Sequence, residues 1–203
     1  MTTTPHIAVV YTHFPHYRAP VFAVMSQSTD YDFTFYYDPA GINTTITSGV
    51  AADNHRPIAV RVWYGLMWQG GAIRLARDPS INGFVFLGNP LILSTWIAAS
   101  VARRRGKAVF FWTHGWLRQE SGIKGWLRRR FYRLADGLMV YGARAREIGK
   151  VEGFDPATIH VIGNSLDYET QRRVRETALA DRATDCEGLP DKPYFLTVTR
   201  LVD

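Results

Sequence analysis

The chain has 203 residues, 46% of them hydrophobic and 13% aromatic, which is ample for a buried core and argues against a disordered chain. Its net charge of +6 and sequence pI near 9.6 leave nucleic acid, anionic lipid and phosphorylated substrates to be weighed against the commoner meaning of basic runs, a solvated helix surface. The single cysteine, Cys186, excludes an internal disulfide, so nothing points to an oxidising compartment.

Met1 to His6 has no charged head followed by an apolar core, so no signal peptide is expected. Ile7 to Thr12 (I-A-V-V-Y-T) reads as a buried first strand. The loop His13 to Arg18 (H-F-P-H-Y-R) follows, and Pro20 opens a helix running to about Gln27. Tyr31 to Tyr37 predicts a second strand, and Asp38-Pro39-Ala40-Gly41 is turn chemistry. Residues 42 to 56 are polar and read as a loop, Ile58 to Tyr64 as a weakly alternating strand, and Leu66 to Arg77 as a helix by its spacing, against Gly70-Gly71.

Gly83 to Leu87 is a short strand ending in Gly88-Asn89-Pro90, and a helix from about Leu91 to Arg105 stops at Gly106. The run Leu91 to Val101 is broken by Ser94, Thr95 and Ser100 and is too short to span a bilayer. Lys107 to Trp112 is the central strand, followed by Thr113-His114-Gly115. A basic amphipathic segment at Lys124 to Ala135, a strand at Leu138 to Tyr141, a helix at Ala143 to Val151, a strand at Thr158 to Ile162 and a helix at Glu169 to about Arg182 complete the pattern. Thr184 to Pro193 reads as a linker and Tyr194 to Thr199 as a fresh strand. Strands alternating with helices predict right-handed βαβ units: an α/β, Rossmann-like, mostly parallel sheet with helices on both faces.

In such a sheet, ligands bind beyond the carboxyl ends of the strands. His114 stands one step past the central strand, in the right place for chemistry, unless its imidazole simply satisfies buried backbone groups. Gly115 permits a close approach of the backbone. His16, Tyr17 and Arg18 stand past the first strand, with Arg18 offering a planar fork for phosphate or carboxylate, unless Phe14 and Tyr17 merely pack on the core. Asn89 past a third strand either offers its amide to a ligand or makes an ordinary turn. Trp116, Trp126, Arg128, Arg129 and Arg130 suit an anionic membrane surface, unless the aromatics face the core and the arginines face water.

These strand-end motifs carry a resemblance. His13-Phe14-Pro15-His16-Tyr17-Arg18-Ala19-Pro20, Trp68-Gln69, Gly88-Asn89-Pro90, Trp112-Thr113-His114-Gly115, Ala135-Asp136-Gly137, Val140-Tyr141-Gly142 and Val161-Ile162-Gly163-Asn164-Ser165-Leu166-Asp167 follow one another along the chain. Together with Leu196 to Asp203, the chain resembles the N-terminal, acceptor-side domain of GT-B glycosyltransferases of family 4, the group 1 type. The resemblance implies an acceptor-side domain at residues 1–183, a linker at 184–193, and at 194–203 the first strand of a nucleotide-sugar-binding domain. It implies retaining transfer from a nucleotide-sugar donor to a glycan or lipid-linked acceptor, in bacterial cell-surface polysaccharide synthesis, without a metal or other cofactor. His114 becomes the catalytic candidate, with His16, Tyr17, Arg18, Asn89 and Gly115 on the acceptor. Arg200 matches the family's arginine on the donor diphosphate; the matching lysine and the paired glutamates would lie past Asp203, so the 203 residues alone are expected to be inactive. The expected location is cytoplasmic, peripheral to the inner face of the membrane. The competing reading is a basic α/β module that binds anionic membrane or nucleic acid without catalysis; no RNA- or DNA-binding signature supports the second of these partners.

Overall fold

The computed structural model describes residues 4–41, 53–164 and 167–181. Met1–Asp167 and Tyr168–Asp203 are two separate compact units. The first contains β1 (His6–Val10), α1 (Ala19–Ser26), β2 (Asp32–Tyr37), β3 (His55–Pro57), β4 (Val60–Trp63), β5 (Leu66–Gln69), α2 (Ala72–Arg77), β6 (Gly83–Leu87), α3 (Leu93–Arg104), β7 (Ala108–Thr113), α4 (Gly122–Tyr132), β8 (Gly137–Val140), α5 (Ala143–Val151) and β9 (Ile159–Val161). In the second, the described residues form one helix, α6 (Tyr168–Asp181).

Seven strands make one parallel sheet in the order β3-β2-β1-β6-β7-β8-β9, the Rossmann-like α/β architecture that the alternation of elements predicts. The reason lies in a strict period of two. Ala8, Val10, Phe84, Phe86, Val109, Phe111, Leu138 and Val140 point to one core, and Val9, Val85, Phe110, Trp112 and Met139 to the other. A strand that is apolar at every position is a strand buried on both faces. Ala72 and Ala76 of α2, Ala98, Ala99 and Ala102 of α3, Phe131 and Tyr132 of α4 and Ala145 of α5 fill the first core. Phe22 of α1 joins Phe14, Phe35 and Trp112 in the second.

From β1 the chain runs outward through β2 and β3, then returns to build β6 to β9 on the other side. The strand order therefore reverses between β1 and β6, which is where an open α/β sheet leaves a crevice beyond its carboxyl ends.

Two expectations are corrected. His55 and Arg56, read as the end of a loop, belong to the parallel edge strand β3. Two polar residues and a proline give no apolar alternation, and pairing with the already built β2 decides the matter. The segment Leu66 to Arg77, read as a helix, splits into β5 and α2, and β5 pairs with β4 as a separate antiparallel ribbon. Tyr64 at φ +48 and Gly65 at φ +79 form the two-residue turn that closes it. Gly71, at φ +93, then starts α2, so only six residues remain helical. The linker at 184–193 and the strand at 194–199 lie outside the described residues.

Gly125 separates helix propensity from packing. Alanine in its place favours a helix by about 1 kcal/mol, but a Cβ there would stand 2.1 Å from the Glu120 carbonyl oxygen, a backbone atom with little room to yield. Gly125→Ala is predicted to lower stability by about 1–3 kcal/mol, read as a fall in the urea midpoint of unfolding.

Candidate functional site

Each segment past a strand end contributes one part of the site. After β6, Asn89 accepts a hydrogen bond from the Leu91 amide at 3.0 Å on its Oδ1, an Asx turn that delays α3 until Leu93. After β7, the Thr113 hydroxyl is held by the Gly88 carbonyl at 3.0 Å and lies 2.9 Å from the Tyr132 hydroxyl. Gly88 permits this approach: a Cβ on it would come within 2.7 Å of Thr113 Cβ. After β8 comes Tyr141.

These ends enclose an open pocket of about 460 Å³. Asn89, His114 and Gly115 line it together, with Leu91, Thr113 and Tyr141, and with Lys124, Leu127 and Arg128 from α4. His114 is solvent-accessible and sets its ring edge-on to Tyr141, centroids 4.6 Å apart. Partial burial, and after it the positive charge of Arg18, hold the imidazole below its usual value of 6.5. It is therefore a neutral ring at pH 7, able to donate one hydrogen bond and accept another.

Arg18 sits deeper than the sequence suggests. It is 6% exposed, and through Nη1 and Nη2 it donates to the hydroxyls of Tyr11, at 3.2 Å, and of Tyr141, with Asn164 Oδ1 at 3.4 Å. Its guanidinium also lies 5.0 Å from the ring centres of Trp112 and Tyr141. Among the described residues its partners are phenols, an amide and aromatic faces rather than a carboxylate. Burial opposes its charge, but the phenols outweigh that and the group stays protonated. Arg18 is not among the residues that line this pocket; it ties the end of β1 to the end of β8. His16, exposed with its ring 5.5 Å from that of Tyr17, does not line the pocket either, and nor does Tyr17.

Gly115 also changes meaning. Its φ is +68, and a Cβ would stand 3.0 Å from both Val140 Cγ1 and Ala145 Cβ. Its amide donates to Thr113 Oγ1 at 3.2 Å and its carbonyl accepts from Arg128 and from the Tyr132 hydroxyl, each at 3.3 Å. The close approach that glycine permits is to the protein's own α5 and β8, and its backbone groups are engaged within the fold.

The membrane face expected on α4 is reduced in the same way. Trp116 is 2% exposed and packs against Tyr132 and Phe154, so it is not a surface residue. Arg128 holds Glu120 through two hydrogen bonds of 2.7 and 3.1 Å, and the guanidinium keeps that carboxyl below the usual carboxylate range. Arg129 pairs with Glu152 at 2.7 Å. Of the residues named for membrane contact, Trp126 and Arg130 are exposed. Arg200 lies outside the described residues.

Tyr141, Tyr11 and Thr113 were not singled out as site residues. The strand-end rule that found His114 also reaches Tyr141, the first residue past β8; Tyr11 and Thr113 act from within the core. Among the described residues, no three His, Cys, Asp or Glu side chains gather to hold a metal ion.

No protein-family model matches the sequence, and no curated protein matches it. Solved structures match the fold. A UDP-N-acetylglucosamine 2-epimerase aligns with a TM-score of 0.57 at 13% identity, over 78% of this chain and 48% of its own. The UDP-GlcNAc 2-epimerase of Neisseria meningitidis, solved with UDP-GlcNAc bound, gives 0.55 at 13% identity, over 88% of this chain and 53% of its own. That of Methanocaldococcus jannaschii gives 0.54 at 13%, over 88% and 51%. The chain thus spans about half the length of the structures it matches. The likeness is one of fold, a Rossmann-like unit of the GT-B type.

Two outcomes follow for stability. Arg18→Met removes the donor to the buried phenol of Tyr11 and the half-buried phenol of Tyr141 and is predicted to cost about 2–3 kcal/mol in urea unfolding. Burial lowers the imidazoles of His13, His55 and His114. The unfolded chain then binds protons near pH 6.5 before the folded chain does, so their contribution to stability is full above that pH and declines as pH falls below it. A urea midpoint clearly lower at about pH 5.5 than at about pH 7.5 is the expected reading; equal midpoints would contradict it.

Proposed function

We propose that the chain is the acceptor-side half of a nucleotide-sugar-dependent glycosyltransferase of the GT-B type, similar to family 4. In this reading it transfers a sugar, with retention, to a glycan or lipid-linked acceptor in cell-surface polysaccharide synthesis, and works in the cytoplasm at the inner face of the membrane. The observation that carries the reading is the gathering of Asn89 and a neutral His114 around one pocket past the ends of β6 and β7. Its volume of about 460 Å³ lies within the range of small-ligand sites.

A neutral imidazole orients an acceptor hydroxyl by donating to it, or accepts its proton as the bond to the sugar forms. The Asn89 amide adds a donor, since its oxygen is already used in the turn. Lys124 and Arg128 share the Glu120 carboxylate, so this wall keeps a net positive charge, carried at the exposed Lys124 ammonium, that suits an anionic group facing it. In this reading residues 1–183 are the acceptor domain, 184–193 the linker and 194–203 the entry to the donor domain, with Arg200 on the donor diphosphate.

The test is a longer chain that continues through the donor half, assayed with UDP-sugars and candidate acceptors. Transfer is expected from the longer chain and not from residues 1–203 alone, and His114→Ala should lower turnover by about a hundredfold with the fold intact. Isomerisation of a UDP-sugar without an acceptor, strong transfer by residues 1–203 alone, or unchanged turnover in His114→Ala would overturn the reading.

A further inference from the structure

The ribbon of β4 and β5 has two faces. Residues two apart share a face, and Arg61 pairs with Trp68 and Trp63 with Leu66, so these four make one surface. The other surface carries Gln69, 1% exposed, whose side chain donates to the Tyr11 carbonyl at 2.9 Å and fastens the ribbon to the end of β1. On the outer surface Trp63 is 72% exposed and Trp68 41%, and Tyr64 at the turn is 93% exposed. A two-stranded ribbon gains little from rings left in water.

Tyr64 adds an independent observation. It is the described non-glycine residue with a positive φ, at +48. Asparagine, aspartate or glycine fits that turn position without strain, whereas a tyrosine does not. The ribbon's own stability thus gives no reason for a large ring at its most exposed point.

Charge says what the surface meets. Arg61 is the one charged side chain of β4 and β5, and the stretch around the ribbon, between Asp53 and Asp78, adds Arg56 on β3 and Arg74 and Arg77 on α2. Indole and phenol rings settle at the boundary between water and hydrocarbon, and arginines are drawn to anionic headgroups. A second copy of the chain would instead set like charges against each other across a two-fold axis.

We propose that the β4–β5 ribbon docks on an anionic lipid bilayer, with Trp63, Tyr64 and Trp68 in the interfacial layer and Arg61 at the headgroups. The Met67 amide donates to the Leu91 carbonyl at 2.9 Å, and Leu91, 48% exposed, also lines the candidate pocket. Docking therefore sets the pocket beside the headgroups, in reach of a substrate whose tail stays in the bilayer. That substrate class rests on the transferase reading, whereas the docking stands without it.

The experiment sediments the 203-residue chain with vesicles of phosphatidylcholine alone and with vesicles that also contain phosphatidylglycerol, so it needs no turnover. Binding to the anionic vesicles, reduced by added salt, is expected. The triple variant Trp63→Ser, Tyr64→Asn, Trp68→Ser should weaken it by about tenfold or more, and Arg61→Glu alone by roughly fivefold, with unchanged far-UV circular dichroism. Absence of binding to either vesicle would overturn the proposal. So would binding that Trp126→Ala abolishes and the ribbon variants leave intact, or a dimer that the triple variant dissolves in a chain indifferent to vesicles.

Discussion

A buried guanidinium holds the candidate site together. Arg18 leaves the loop after β1 and meets a phenol from its own strand end, Tyr11, and one from the end of β8, Tyr141. Those strands are separated in the sheet by β6 and β7, so one side chain spans the row of strand ends that forms the pocket. The hydrogen bonds carry charge and the aromatic faces of Trp112 and Tyr141 lie over the cation, which makes a buried arginine tolerable without a carboxylate partner. Tyr141 then sets its ring against His114. The same positive charge that orders the strand ends helps to keep that imidazole neutral.

The distribution of charge along the chain reads differently once folded. The arginines of α4 look in sequence like a solvated or membrane-facing run. Arg128 instead reaches Glu120 and holds the segment between β7 and α4 in place, and Arg129 reaches Glu152 and ties α4 to the end of α5. Trp126 and Arg130 of α4 stay exposed, and the ribbon carries Arg61 with two uncovered indoles whose exposure the fold does not use.

Much of the fold was legible because parallel strands buried on both faces leave continuous apolar runs, as in Ile7 to Val10, Gly83 to Leu87 and Val109 to Trp112. The placement of Asn89 and His114 at one pocket was legible too, since both follow such runs directly. The edge strand His55–Pro57 was not, because its pairing partner decides it and two polar residues with a proline carry no strand pattern. The ribbon was misread because Leu66, Ile73 and Arg77 keep a helical spacing, and only Tyr64-Gly65 in the left-handed region marks the turn. The burial of Arg18 and Trp116 was equally hidden: each depends on contacts to Tyr141 or Phe154, more than thirty residues away in sequence.

If Arg18 orders the strand ends and tunes the ring beside them, the protonation of His114 must respond to it. The most direct measurement is the titration of the His114 imidazole by nuclear magnetic resonance in the wild-type chain and in Arg18→Met. The account predicts a midpoint below the usual 6.5 in the wild-type chain and a rise toward that value in the variant. A midpoint at or above 6.5 in the wild-type chain, or one that Arg18→Met leaves unmoved in a folded protein, would contradict it.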